Sequence, residues 1–258
     1  MGELDSLRGR LTRKPAEMDL AALHLQLLRG KTWRYLRYLH LREYLQRVSG
    51  EIRTVCICGA GRGTAEIALA IEFPRLHFTM TDIIAEGYPN YHRAMQFAWR
   101  KDIDNVAFSI WDVLQPTKRR FDLVCSTEML EHIEDDDLAA KNMRTAASRY
   151  VYCLAPFADD ATNADEAKRK AHWEKNRHYV CGYNPARLEK LFGRPMAIAG
   201  AYWADHGGKL RAKLEAMTPE EIAAQSTVLM QEAEADLQPS VPTERRQAVG
   251  IKVLVERV

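Results

Sequence analysis

Thr54-Val-Cys-Ile-Cys-Gly-Ala-Gly-Arg-Gly-Thr64 holds a strand, a turn and the start of a helix in a single stretch. Val55 to Cys58 is a run of β-formers that stops at Gly59, Gly61 and Gly63. Thr64-Ala-Glu-Ile-Ala-Leu-Ala-Ile71 follows with a helical pattern. Strand, glycine turn and helix together lay a nucleotide-like ligand against backbone amides at a helix N-terminus. Glycine suits the turn because a side chain would hold the ligand off the backbone, and because some turn positions take positive φ. The turn alone serves a dinucleotide as well as any other adenosine cofactor.

From Thr54 onward the pattern alternates. Strands are expected at 53–58, 77–82, 105–111, 121–126 and 149–155, and helices at 64–72, 90–101, 135–147, 162–176 and 185–192. Such alternation implies βαβ units and a mainly parallel sheet. Two further strands, at 196–203 and 249–255, flank a long insertion at 205–245 that reads as a lid or substrate-side element. Within it, Thr218-Pro-Glu-Glu221 has the form of a capping box. Residues 16–47 read as helix, with a break near Gly30. The aromatics Trp33, Tyr35, Tyr38 and Tyr44 stand among arginines there, suited to packing on a sheet or to stacking on bases. The expected organisation is a helical segment, 1–50, leading into the main body, 51–258, as one domain.

The chain has 258 residues, of which 47% are hydrophobic and 28% charged, enough for one sizeable core. Net charge is only +2, against a dedicated nucleic-acid binder, although residues 1–50 hold ten Lys/Arg and five Asp/Glu. Five cysteines without CxxC spacing fit a reducing compartment. With no signal-peptide pattern and no apolar run of ~18 residues, a cytoplasmic protein without a membrane span is expected. Oligomeric state has no motif here.

Asp82 ends the second strand, where an acid binds a ribose in several cofactor classes. Asp112 ends the third, flanked by Trp111 and Val113; a carboxylate there can accept from an adenine amino group between apolar neighbours. The fourth strand decides between classes. Phe121-Asp-Leu-Val-Cys-Ser-Thr-Glu-Met-Leu-Glu-His-Ile133, followed by Glu134-Asp-Asp-Asp137, resembles the class I S-adenosylmethionine-dependent methyltransferases, especially the branch that includes ubiquinone-biosynthesis O-methyltransferases. The resemblance covers roughly residues 50–192. It implies an α/β, Rossmann-like three-layer sandwich whose seven-stranded sheet is mostly parallel with an antiparallel last strand. It also implies that Gly59, Ala60, Gly61, Asp82, Ile83, Asp112, Val113 and Ser126 line the cofactor site, with Gly63 and Trp111 beside them. His178-Tyr-Val-Cys-Gly-Tyr-Asn-Pro-Ala-Arg-Leu-Glu-Lys-Leu191 is similar to the family's stretch near the substrate.

Methyl transfer from a sulfonium is an in-line displacement that needs alignment, proton removal and exclusion of water. Glu-x-x-Glu-His sets Glu128, Glu131 and His132 on one turn at the carboxyl edge of the sheet. His132 suits a general base, with Glu131 beside it, because an imidazole titrates near neutrality. The same triplet resembles the divalent-metal motif of ubiquinone and small-RNA terminal 2′-O-methyltransferases. Glu128, Glu131 and His132 are then ligands for Mg²⁺, Mn²⁺ or Zn²⁺, with His172 or His178 as a further one. The leading expectation is transfer to an oxygen of a small-molecule or glycan-like acceptor. An RNA 2′-O-methyltransferase, a non-catalytic S-adenosylmethionine-binding protein and a dehydrogenase are the rivals.

Overall fold

The computed structural model describes residues 32–83, 89–193, 197–203 and 248–256, together with 212–214, 216–218, 221, 224–225 and 228–229. The expected helix before residue 32 and most of the 205–245 insertion lie outside these residues.

In chain order the elements are α1 (Thr32–Val48), β1 (Thr54–Cys58), α2 (Thr64–Glu72), β2 (His77–Asp82), α3 (Pro89–Arg100), β3 (Val106–Ile110) and β4 (Phe121–Thr127). There follow a 3₁₀ turn (Leu130–His132), α4 (Asp136–Ala146), β5 (Ala147–Pro156), α5 (Asp160–Ala164), α6 (Glu166–Asn176), α7 (Pro185–Phe192), β6 (Ala197–Trp203) and β7 (Ala248–Glu256). The seven strands form one sheet in the order β3-β2-β1-β4-β5-β7-β6. Pairs among the first five are parallel, and β7 runs antiparallel to both β5 and β6. The order reverses direction between β1 and β4, which opens a crevice at their carboxyl ends.

Both faces of the central strands are covered, which explains their unbroken apolar sequences. Val55 and Ile57 of β1 join Tyr35, Tyr38, Leu41 and Leu45 of α1 and Ile67 of α2 in one core. Cys56 and Cys58, pointing the other way, join Met143 of α4 and Leu188, Leu191 and Phe192 of α7. The tyrosines of α1 are therefore packing residues: Tyr44 lies 5.4 Å from Tyr152 as a stacked pair. All five cysteines are free and buried.

One expected element splits. The helix read over 162–176 is two, α5 and α6, because two aspartates compete as caps. Asp159 accepts the Thr162 N–H at 2.7 Å and Asp165 accepts the Lys168 N–H at 3.1 Å, which starts a second helix. The capping box appears as read: Glu221 accepts the Thr218 N–H at 2.8 Å and Thr218 Oγ1 accepts the Glu221 N–H at 3.2 Å. Among the described residues no helix is long and apolar enough to cross a membrane.

The amino ends of the strands are tied by Asp122. Its Oδ2 accepts from the backbone N–H groups of Arg53 (2.7 Å) and Thr54 (2.9 Å), and Ser148 Oγ approaches Oδ1 at 3.3 Å. Partial burial pushes the carboxyl up, but the bonds from Arg53, Thr54 and Ser148 outweigh it and hold it below the usual range. A depressed folded-state pKa contributes stability above the unfolded value, lost as pH falls through the folded one. Asp122→Ala is expected to lower unfolding stability by about 1–2 kcal/mol at pH 7. In urea titrations the gap between variant and parent should shrink progressively below about pH 4; a gap independent of pH would refute the charged role.

Candidate active site

The crevice between β1 and β4 is a cleft of about 720 Å³. Its floor is the glycine turn. Gly59, Gly61 and Gly63 have φ of 68°, 54° and 65°, in the left-handed region. At Gly59 the need is also steric, since a Cβ would stand 2.6 Å from Cγ of Met129. Gly63 caps α2 and accepts the Ile67 N–H through its carbonyl at 2.9 Å.

Asp82 pins this turn. Its Oδ2 accepts the Gly61 N–H at 2.7 Å and its Oδ1 the Ile83 N–H at 2.8 Å. Both oxygens keep lone pairs for further donors, and Asp82 and Ile83 both line the cleft, Ile83 being 54% exposed. Trp111 and Val113 line the same end, and the Trp111 indole N–H donates to Gln115 O at 2.9 Å.

Two expected cofactor residues, Asp112 and Ser126, do not themselves line the cleft. Asp112 is not among the cleft-lining residues; its Oδ1 accepts the Leu114 N–H at 2.9 Å, closing its own turn. Ser126 is fully buried with its hydroxyl 3.5 Å from Cys153 Sγ. Strand side chains alternate in direction, so the next residue, Thr127, faces the cleft instead. Glu66, in the first turn of α2, is one of the cleft residues that the sequence does not announce, with Arg37, Thr64 and Thr127 among the others. An acid at that position reads as ordinary helix-dipole decoration; only its burial distinguishes it.

The other end of the cleft is built on the segment after β4. Glu128 takes φ 53°, unusual for a residue with a side chain. Its N–H is held by Leu154 O at 2.7 Å, and its Oε2 accepts from Arg37 Nη2 at 3.0 Å. The 3₁₀ turn then sends Glu131 inward and His132 toward the cleft.

His132 Nδ1 lies 3.3 Å from the carbonyl of Arg177. In the neutral ring the proton therefore sits on Nδ1, and the Nε2 lone pair is available. Burial lowers the His132 pKa below its ordinary value despite the Arg177 carbonyl and the Glu128 charge. Burial, with His132, His172 and Arg37 as neighbours, brings His178 down to about 4. The His132 and His178 rings meet edge to face at 4.5 Å.

Glu131 is 0% exposed, and neither of its carboxylate oxygens finds a hydrogen-bond partner among the described residues. Burial, reinforced by Glu128, pushes its carboxyl well above the usual range. Ligand atoms of Glu131, His132 and His178 lie within 4.8 Å of one another. The expected metal set thus changes by one member: Arg37 holds Glu128, and His178 takes the place beside Glu131 and His132. An unsatisfied buried carboxylate facing two neutral imidazoles fits a small divalent cation.

A seven-stranded, mostly parallel sheet with an antiparallel β7 and a glycine cradle at its switch point defines the class I S-adenosylmethionine-dependent methyltransferase fold. The chain belongs to the Methyltransferase domain family, whose model matches residues 27–194. A search of curated proteins finds no match. Among solved structures, it is similar to a protein from Galdieria sulphuraria assigned as a sarcosine dimethylglycine methyltransferase, with TM-score 0.58, 13% identity, and 84% of this chain and 85% of that one covered. It is also similar to Haemonchus contortus phosphoethanolamine N-methyltransferase 2 in complex with S-adenosylmethionine, with TM-score 0.56, 16% identity and coverage of 84% and 52%. Coclaurine N-methyltransferase bound to N-methylheliamine and S-adenosylhomocysteine gives TM-score 0.55 and 12% identity over 84% and 70%.

S-Adenosylmethionine fits the cradle: the glycines leave backbone exposed, and Asp82 lines the cleft beside them. If Asp82 holds the ribose, removing its carboxylate would lose charge-assisted hydrogen bonds to the ligand as well as the bond to Gly61. Asp82→Ala is expected to weaken S-adenosylhomocysteine binding at least about tenfold by calorimetry; unchanged affinity would remove Asp82 from the ribose site.

Proposed function

We propose that the chain methylates a hydroxyl oxygen of a small-molecule or glycan-like acceptor, with His132 receiving the acceptor's proton. The observation that carries this reading is His132 itself, in the cleft with Nδ1 committed to the Arg177 carbonyl and Nε2 left with its lone pair.

The charge balance supports oxygen over nitrogen. An amine acceptor arrives as an ammonium and favours an anion that is not otherwise engaged. Glu128 is the carboxylate on the acceptor side of the cleft, and Arg37 neutralises it at 3.0 Å. Glu131 is buried, and burial raises its pKa and so disfavours its charged form. A neutral hydroxyl meets no uncompensated charge there. The Glu-x-x-Glu-His run supports a place beside the ubiquinone-biosynthesis O-methyltransferases.

In the mechanism the glycine turn and Asp82 would hold the donor, and His132 lines the same cleft on the acceptor side. S-Adenosylmethionine, when bound, would supply an electrophilic methyl group with a thioether as leaving group. His132 Nε2 accepts the hydroxyl proton as the new O–C bond forms, and the Arg177 carbonyl stabilises the resulting imidazolium through Nδ1–H. In the alternative form of the mechanism Glu131, His132 and His178 would hold a divalent cation; His132 Nε2 would then be a ligand in place of a base, and the cation would supply acidification of the acceptor hydroxyl. The N-terminal helix α1 closes one wall through Arg37.

His132→Gln should lower kcat by about 10²–10⁴-fold, as expected for loss of a general base, while S-adenosylhomocysteine affinity stays within about threefold. The measurement is tritium transfer from labelled S-adenosylmethionine to a panel of hydroxyl and amine acceptors; transfer confined to amines would overturn the oxygen assignment. Chelator treatment should abolish activity and added Mn²⁺, Mg²⁺ or Zn²⁺ restore it, with Glu131→Gln behaving like the chelated protein. Full activity after chelation would leave His132 as a metal-free base.

A second reading, an RNA 2′-hydroxyl as acceptor, is favoured by one surface. Helix α6 has no buried residue and carries Lys168, Arg169, Lys170 and Lys175. On the same helix Trp173 pairs with Tyr179 at 4.8 Å, the two being 39% and 40% exposed. Cations interleaved with exposed rings suit single-stranded nucleic acid. Binding of a short single-stranded RNA that falls steeply with salt is the outcome that would promote this reading.

A further inference from the structure

Helix α3 turns Ala94 and Ala98 into the core, and Ala94 meets the glycine turn, where a Cβ on Gly63 would stand 3.0 Å from its own. At about 3.6 residues per turn, His92, Arg93, Met95, Gln96, Trp99 and Arg100 share the opposite arc, and all six are exposed. Trp99 is 79% exposed, and Met95, four residues before it on the same face, is 41% exposed. Scattered apolar residues on a surface are ordinary. A tryptophan is not, because its large ring is highly buried on average.

The charge around this face has one sign. Residues 89–120 hold six Lys/Arg and three Asp/Glu, a net of +3, in a chain whose whole net charge is +2. Between Pro89 and Lys101 there is no carboxylate. Helix α3 leads into β3, the edge strand of the sheet, and Phe97 of α3 packs on the same core as Val106 and Phe108 of β3. Ile110, at the end of β3, is 67% exposed. The basic run Lys118-Arg-Arg120 is tied to the same edge, since Arg119 Nη1 donates to Ser109 Oγ of β3 at 3.2 Å. Apolar side chains therefore protrude from a basic surface at one end of the sheet.

A tryptophan flanked by arginines on the outer arc of an amphipathic helix matches a layer of anionic lipid headgroups. The ring settles at headgroup depth, and the guanidinium groups meet phosphates. Other occupants fit this face less well. A second copy meeting it across a two-fold axis would set Arg93 and Arg100 against their own counterparts. Single-stranded nucleic acid is held in basic grooves by rings that stack on bases, whereas this is the outer face of a helix, and Met95 and Ile110 have no ring.

We infer that α3 and the adjoining edge of β3 dock on anionic lipid membranes, with Trp99 inserted at the headgroup layer and Arg93 and Arg100 on the phosphates. The contact is peripheral, made by one face of a helix, and it stands whichever acceptor the cleft takes.

Sedimentation of the full chain with lipid vesicles tests it. Vesicles of phosphatidylcholine with about one third phosphatidylglycerol should bind the protein at least about tenfold more tightly than phosphatidylcholine alone, and the binding should fall as salt rises. Trp99→Ala should weaken it at least about fivefold without changing the salt dependence, and Trp99→Phe should recover part of the loss. Arg93→Gln combined with Arg100→Gln should flatten the salt dependence instead. Thermal melting of each variant, expected to match the parent because the altered side chains are exposed, separates a lost contact from a lost fold. Failure to bind anionic vesicles would overturn the inference. So would binding that survives both the Trp99 and the arginine variants, which would place the contact elsewhere on the chain. A dimer in sedimentation velocity that Trp99→Ala dissolves would give the face to a second copy, and RNA binding lost in the same variants without vesicle binding would give it to nucleic acid; either also overturns the lipid assignment.

Discussion

One hydrogen bond organises the site: Gly61 N–H to the Asp82 carboxylate, 2.7 Å long. It ties the turn after β1 to the end of β2, and holds three glycines in left-handed conformations that other residues rarely adopt. With the turn held back, the space above Gly59 is open to Met129. Met129 begins the 3₁₀ turn, and its carbonyl accepts the His132 N–H at 3.0 Å. Consecutive residues of a 3₁₀ turn point about 120° apart, so one step carries Glu131 into the core and the next brings His132 to the cleft. The glycine turn and His132 are thus positioned by one connected set of contacts, through the Asp82 carboxylate, the Met129 side chain and the backbone of the 3₁₀ turn.

The same segment explains the strained backbone at Glu128. Its N–H must reach Leu154 O to finish the β4–β5 ladder, while the chain has to turn sharply for Met129 to cover Gly59. A φ of 53° meets both demands. Strain of this kind costs on the order of 1–3 kcal/mol and persists where neighbours enforce it. Arg37, reaching across from α1, is such a neighbour.

The sheet was legible because buried parallel strands write continuous apolar runs and their connections end in acids or glycines. The glycine turn, Asp82 and the position of His132 followed from that pattern alone. Three features did not. Whether Ser126 or Thr127 faces the cleft depends on pleat parity relative to the end of β4, which a one-residue uncertainty in strand bounds erases. Whether Glu128 joins Glu131 depends on Arg37, 91 residues away, and local spacing carries no trace of that contact. Asp112, expected as an adenine ligand by its place after a strand, also closes its own turn by accepting the Leu114 N–H, a contact that position alone does not announce. Burial resolved the reverse ambiguity in α1, where tyrosines among arginines have the composition of a stacking surface yet lie in the core.

The charges in the cleft suggest why donor and product are distinguished. At the donor end stand Glu66 and Asp82, with Arg62 at the exposed lip; at the acceptor end Glu128 and Arg37 cancel. S-Adenosylmethionine enters with a sulfonium, an ammonium and a carboxylate, a net charge of about +1 at neutral pH, and leaves without the sulfonium charge. A donor end biased toward carboxylates attracts the entering molecule more than the departing one, since the Coulomb contribution scales with charge. For the proposed hydroxyl acceptor, the acceptor end, balanced near zero, would gain nothing from substrate charge and lose none on methylation. In that proposal the proton goes to His132, and the imidazolium so formed lies beside the Glu128 charge, which favours it, and the Arg37 charge, which opposes it. The Arg177 carbonyl on Nδ1 is therefore the contact that decides whether His132 can hold that proton long enough for the methyl group to transfer, and it comes from α6's C-terminal cap, where Arg177 takes a left-handed φ of 61°.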